Sequence, residues 1–166
     1  MGTTVARQVL DVLRAHGASV VFGLPGVHNL AFWNVPEPPV VVRHEQAAGY
    51  AADGWARVTG RLGAAVVTTG PGAANAVAAF GEAAACGSPV VLVASEIPAA
   101  LHRPGRVRGV LHESRDQAGL FRPLAKAVFT PRTPAEVAHA VVAAAVTALR
   151  APRGPVYLDV PADVLG

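Results

Sequence analysis

Glu45 is the residue in this chain best placed for acid–base chemistry: it follows the apolar run Val40-Val41-Val42 and the pair Arg43-His44, and it opens the helical stretch that continues to Thr59. Counting from it at helical spacing, Ala48, Gly49, Ala52 and Ala56 share its face. Such a stripe has almost no side-chain bulk, so another backbone or a flat ligand is expected to approach closely. Burial raises a carboxyl pKa whereas a helix N-terminus lowers it, and that tension is common at catalytic acids. The ordinary alternative is a first-turn acid held only by the helix dipole. Two glycine-bearing segments change the balance: Gly23-Leu24-Pro25-Gly26-Val27-His28-Asn29, and Thr68-Thr69-Gly70-Pro71-Gly72-Ala73-Ala74-Asn75. Glycines there let backbone come close to a ligand, and amides that open a helix donate to an anion or a carbonyl.

Other chemistries are poorly matched. A dinucleotide fold wants G-x-G-x-x-G after the first strand, whereas the first loop is G-x-x-G and the second is G-x-G with no third glycine. The Gly-Lys-Ser/Thr of a phosphate loop and a G-x-S-x-G nucleophile turn are both missing. Pairs such as His44 with Glu45, or His28 with His44, lack metal-ligand spacing and read as surface or rim histidines. The single Cys86 excludes an internal disulfide, and its alanine-rich setting predicts a buried structural thiol. The net charge of +3 is spread along the chain. Its one basic cluster, Arg103, Arg106 and Arg108, has no interleaved aromatic residues, so nucleic acid is not an expected partner and a solvated loop is.

Positioning Glu45 and the glycine segments requires a particular order of elements. Thr3 or Thr4 can cap a first helix with apolar positions Val5, Val9, Val12 and Leu13, ended by Gly17. Strands are predicted at 19–22, 40–43, 63–69, 89–95, 126–129 and 155–160, the second of them buried. Helices are predicted from Glu45 to about Thr59, from the second glycine loop to Cys86, and over 134–150. The alanine-rich helix ending at Cys86 is apolar nearly all round and is expected to be buried. Alternating strands and helices imply a three-layer α/β/α sandwich around a mostly parallel sheet of about six strands, in one domain over residues 1–166. The glycine loops and Glu45 then leave carboxyl ends of strands, where open sheets of this class bind ligands. With 52% hydrophobic and 15% charged residues, the chain is apolar for its size, so part of its surface is expected against another subunit or domain. Its apolar runs are too short to span a membrane and its start, Met1-Gly2-Thr3-Thr4-Val5-Ala6-Arg7, is not a signal peptide, which makes the cytoplasm the expected location.

The segments Phe22-Gly23-Leu24-Pro25-Gly26, Arg43-His44-Glu45-Gln46-Ala47-Ala48-Gly49-Tyr50 with its continuation to Gly60, and Thr69-Gly70-Pro71-Gly72-Ala73-Ala74-Asn75 resemble a known domain. It is the N-terminal pyrimidine-binding domain of thiamine diphosphate-dependent enzymes, in the acetolactate synthase, benzoylformate decarboxylase and benzaldehyde lyase group. The resemblance continues through Asp116-Gln117, Phe121-Arg122-Pro123-Leu124-Ala125-Lys126 and the closing stretch from Gly154 to Leu165. It implies that Glu45 hydrogen-bonds N1′ of the cofactor's aminopyrimidine and promotes loss of the thiazolium C2 proton, opening attack on a 2-oxo acid or aldehyde. By the same resemblance Pro25, Gly26, Thr69, Gly70, Pro71, Gly72 and Asn75 line the cofactor's pyrimidine half, His28 joins Glu45 as a catalytic candidate, and Val27, His28, His112 and Gln117 are substrate candidates. No Gly-Asp-Gly motif is present, so the resemblance assigns magnesium and the diphosphate to a domain or subunit outside this chain. A homodimer or a hetero-oligomer with such a polypeptide is expected, with the chain inactive alone. The end of the chain just after its last strand favours an excised domain over a subunit of a split enzyme such as sulfopyruvate decarboxylase. The rival readings are a non-enzymatic partner or regulatory module, and a nucleotide-binding α/β domain.

Overall fold

The computed structural model describes residues 3–103 and 105–166. Met1 and Gly2 of the N-terminal stretch, and Pro104 of the basic loop, lie outside the described residues. Helix α1 (Val5–Ala15) begins where Thr4 Oγ1 accepts the Arg7 amide, and it turns Val5, Val9, Leu10 and Leu13 inward. It stops at Gly17, whose φ of +109° is open to glycine and strained for other residues. The strands that follow are β1 (Val21–Gly23), β2 (Val40–Val41), β3 (Gly63–Val67), β4 (Val90–Glu96), β5 (Ala127–Phe129) and β6 (Val156–Pro161). Their order is β2-β1-β3-β4-β6-β5 and each neighbouring pair is parallel.

Side chains alternate across this sheet, and that splits the core in two. Ala64, Val66, Val91, Val93, Val156 and Leu158 pack with α1 and with α5 (Pro134–Leu149) on one face. Ala65, Val67, Leu92, Ala94 and Tyr157 pack on the other with α2 (Glu45–Thr59), α3 (Pro71–Asn75) and α4 (Val77–Ala85). The result is the expected three-layer α/β/α sandwich. Helix α5 carries Pro134 at its first turn and a capping box in which Thr133 and Glu136 satisfy each other's backbone amides.

Three expectations are corrected, and a fourth is met from within the chain. The strand before Glu45 is not buried: β2 is the sheet's edge, with Val40 and Val41 about half exposed, because only β1 pairs with it. The small-residue stripe of α2 admits close approach, as expected, but from within this chain. A Cβ on Gly49 would stand 2.6 Å from Ala79 Cβ, and one on Gly63 would stand 2.1 Å from the Ala52 carbonyl oxygen, so α4 and β3 of this same chain occupy the stripe. The alanine-rich helix is broken at Ala76 into α3 and α4, and it is not buried all round: Ala74, Asn75, Ala78, Glu82 and Ala85 face outward. Cys86 lies on that outward side, one turn after Glu82, and is exposed. The basic cluster Arg103, Arg106 and Arg108 is an exposed loop, as read. Among the described residues no helix is long and apolar enough to cross a membrane.

Candidate functional site

Adjacent strands β1 and β3 send the chain in opposite directions, β1 toward β2 and β3 toward β4. Such a reversal opens a crevice at the carboxyl ends of the strands, and the loops that follow β1, β2 and β3 meet there. After β1, Asn29 holds the glycine turn: its Oδ1 accepts the Gly26 amide at 2.7 Å and its Nδ2 donates to the Leu24 carbonyl at 3.1 Å. After β2, His44 Nδ1 accepts the Gln46 amide at 3.1 Å and caps α2, which starts with Glu45. After β3, Gly70 takes φ +63° and turns the chain into α3.

Glu45 is buried, 7% exposed, although its neighbours Arg43 and His44 are open to solvent. Asn75, at the end of α3, donates its Nδ2 to Glu45 Oε2 at 2.9 Å. Among the described residues no other donor reaches this carboxylate. Glycines surround it: a Cβ on Gly72 would come within 3.2 Å of Glu45 Oε1 and 2.5 Å of Thr68 Cγ2, and a Cβ on Gly26 would lie 2.7 Å from the Thr68 side chain. Thr68 Oγ1 and His28 Nε2 are buried without a hydrogen-bond partner among the described residues. A carboxylate with a free oxygen, a cradle that side chains would fill and two orphaned polar atoms together form a site able to receive a flat, polar ligand.

His28 and His112 form an edge-to-face pair with ring centroids 6.3 Å apart. Burial, and secondarily the charge of His112, lowers the His28 pKa, which favours a neutral imidazole at neutral pH. His112 adopts φ +64°, and its carbonyl lies over Gly70, only 2.4 Å from where a Cβ would be. Val27 is 79% exposed at the loop tip, and Pro25 and Pro71 are also exposed. Thr69 turns inward, its Oγ1 3.1 Å from Ser95 Oγ. Gln117 is buried, at 1% exposed, with Oε1 accepting the Gly70 amide. Its Nε2 reaches the Ser95 carbonyl at 2.9 Å, Asp159 Oδ1 at 2.8 Å and Tyr157 Oη at 3.1 Å. Burial, reinforced by the charge of Glu96, pushes the Asp159 carboxyl up to about 8. Burial likewise raises Glu96, whose Oε1 accepts the Ile97 amide at 2.7 Å.

Sequence reasoning gave no individual role to Thr68, Asn29, Ser95, Tyr157 or Asp159. A signal existed for Asn29, three residues beyond a glycine turn that its side chain can bridge. For Asp159 and Tyr157 there was none: inside an apolar strand they read as ordinary alternation.

Residues 3–120 match the family model described as thiamine pyrophosphate enzyme, N-terminal TPP binding domain. A probable acetolactate synthase large subunit of Methanocaldococcus jannaschii is 36% identical over 163 residues, 96% of this chain and 27% of that protein. A probable 2-ketoarginine decarboxylase of Pseudomonas aeruginosa is 36% identical over 167 residues, 98% of this chain and 29% of that protein. Among solved structures, the thiamine diphosphate-dependent 4-hydroxybenzoylformate decarboxylase of Rhodococcus jostii superposes with a TM-score of 0.87 at 31% identity, over 98% of this chain and 31% of that chain. The chain thus spans between a quarter and a third of the length of these relatives.

Proposed function

The chain belongs to the thiamine pyrophosphate enzyme N-terminal TPP binding domain family, and on that premise we propose that it forms the pyrimidine-binding half of a thiamine diphosphate-dependent lyase or carboligase acting on a 2-oxo acid or aldehyde. The observation that carries this reading is the Glu45 carboxylate: buried, oriented by Asn75 through one oxygen, and bordered at the other by glycine. A buried acceptor of that kind suits a ring nitrogen that exchanges a proton, and the aminopyrimidine N1′ is that partner. Thiamine diphosphate, when bound, supplies a carbanion-stabilising thiazolium.

The chain's own residues then have distinct tasks. Glu45 holds or releases a proton at N1′. Asn75 fixes the carboxylate's rotamer, so that its free oxygen faces the ligand. Gly26, Gly70 and Gly72 keep the walls at backbone distance, while Thr68 Oγ1 offers an unused hydroxyl. His28, whose pKa burial lowers, would hydrogen-bond a substrate carbonyl, with His112 beside it. Magnesium and the diphosphate belong to a second polypeptide segment, in a homodimer or a hetero-oligomer, and the chain alone is inactive.

Calorimetric titration of thiamine diphosphate and magnesium into this chain, reconstituted with a diphosphate-binding polypeptide, tests the proposal. Binding should occur with the native chain, and Glu45→Gln should lower cofactor-dependent pyruvate consumption by ~100-fold or more while leaving the circular dichroism of the fold unchanged. Tight NAD or ATP binding that survives Glu45→Gln would instead identify a nucleotide domain.

A further inference from the structure

Gln117 joins parts of the molecule far apart in sequence. It lies 47 residues beyond Gly70 and 42 before Asp159, yet it is hydrogen-bonded to both. Its two ends meet different partners. The amide oxygen accepts the N–H of Gly70, the residue that turns β3 into α3; the amide nitrogen faces the Ser95 carbonyl in β4 and the Tyr157 and Asp159 side chains in β6. Helix α3 runs only from Pro71 to Asn75, and Asn75 holds Glu45. A short helix has little stability of its own, so its start must be fixed from outside. Two bonds do so: Gln117 to the Gly70 amide, and the contact between Thr69 Oγ1 and Ser95 Oγ.

We propose that Gln117 is a positioning residue for the Glu45 carboxylate, acting through the Gly70 turn and Asn75, and that it never touches substrate itself. The proposal rests on the role of Glu45 given above. Both ends of the buried amide are occupied within the protein, which removes it from contact with a small molecule. A glutamine is suited to the position because one face of the junction presents a donor, the Gly70 N–H, and the other presents acceptors. An apolar residue of equal volume would leave the Gly70 N–H without its partner and Asp159 Oδ1 with only the Tyr157 hydroxyl, at 3.3 Å. Gln117 also ends the 97–116 loop that carries His112 over Gly70, so folding of that loop and orientation of Glu45 become one event.

Gln117→Met keeps the volume and removes every hydrogen bond of the side-chain amide, while Gln117→Glu keeps an oxygen able to accept the Gly70 N–H. Amide hydrogen exchange, read residue by residue by NMR on the full chain, follows Gly70; the Asn75 side-chain amide resonance reports its bond to Glu45; calorimetry with thiamine diphosphate and magnesium on the reconstituted protein gives Kd. In Gln117→Met, Gly70 exchange should rise about tenfold or more while the β4 and β6 amides keep their protection, the Asn75 resonance should shift, and Kd should weaken about tenfold. Gln117→Glu should retain most of the Gly70 protection. Unchanged Gly70 exchange in Gln117→Met overturns the proposal, as does a uniform loss of protection across the sheet, which a merely structural role would give. Should Gln117→Met fail to fold, loss of Gly70 protection in Gln117→Glu overturns it. If the native protein shows no cofactor binding, the functional reading fails, while the exchange and resonance shifts decide the positioning role separately.

Discussion

Asp159 gives the sharpest test of the buried network, because its chemistry is measurable in the chain alone. Its carboxyl titrates at about 8 in the fold, against about 3.9 in an unfolded chain. Between those values the folded state holds a proton that the unfolded state has released, so stability is greatest at low pH and falls as pH rises through the folded pKa. Each pH unit in that span removes up to about 1.4 kcal/mol. His28 has the opposite sign: its lowered pKa removes stability as pH falls below about 6.5, where the unfolded imidazole takes a proton. That opposing contribution fades above pH 6.5, so the acid dominates the window from pH 6.5 to 8. Across it, allowing for the taper near the folded pKa, Asp159 should account for a loss of about 1–2 kcal/mol. Asp159→Asn is the perturbation, since its amide oxygen accepts the same bonds from Gln117 and Tyr157 without an ionising proton. Urea unfolding at intervals across the window should show the native chain losing stability and Asp159→Asn losing only what buried Glu96, raised in the same direction, contributes. At pH 8 the variant should be as stable as the native chain or more so. Parallel pH curves for the two proteins would refute the reasoning.

Asn75→Ala removes the donor to Glu45 Oε2, and with a charged acceptor its loss should weaken cofactor binding by roughly tenfold in calorimetry with little change in thermal midpoint. Gly49→Val forces bulk into the place where a Cβ already meets Ala79 Cβ at 2.6 Å; denaturant unfolding should show a loss of about 1–3 kcal/mol, and the absence of any loss would mean that α2 and α4 are not packed as described. Thr133→Ala dismantles the capping box of α5 and should cost about 1 kcal/mol, read by chemical unfolding. His28→Phe retains the ring's volume and its edge contact with His112 while deleting the orphaned nitrogen; the fold should persist, and KM for the carbonyl substrate should rise more than kcat falls.

Local signals are what made this chain readable. Thr4 as a cap, Gly17 as a stop and the strand–helix alternation depend on residues near one another, and all appear in the structure where their chemistry requires them. Glu45 was legible for the same reason: an acid at the first position of a helix, between two glycine loops. What failed to show was decided by partners distant in sequence. The stripe beside Glu45 is poor in bulk whether it waits for another subunit or is already filled by Ala79 and the Gly63 backbone, and only the fold distinguishes the two. Burial of β2 depended on how many neighbours it acquired, and an edge strand acquires one. Gln117 had the weakest local signature and the most connected position, because its partners come from three separate strand ends.

Filling of the α2 stripe from within also moves the surface that a complementary polypeptide must meet. If α4 and β3 already cover that face, the open side of Glu45 is the loop rim, and several exposed apolar residues lie in the segments that follow β1 and β4: Val27 at 79%, Leu30 at 55%, Leu111 at 46% and Val107 at 47%. Val27 and Leu30 flank buried His28, and Leu111 precedes His112. The outward faces of α2 and α4 add Tyr50 and Val58 to the exposed set, with Ala78 and Ala85 beside them. A diphosphate-binding partner that seats on the rim would cover these side chains and exclude water from the Glu45 oxygen that meets no donor among the described residues. Cofactor activation and partner docking would then depend on one surface, and substitutions such as Val27→Asp should impair both together although Val27 lies outside the buried site.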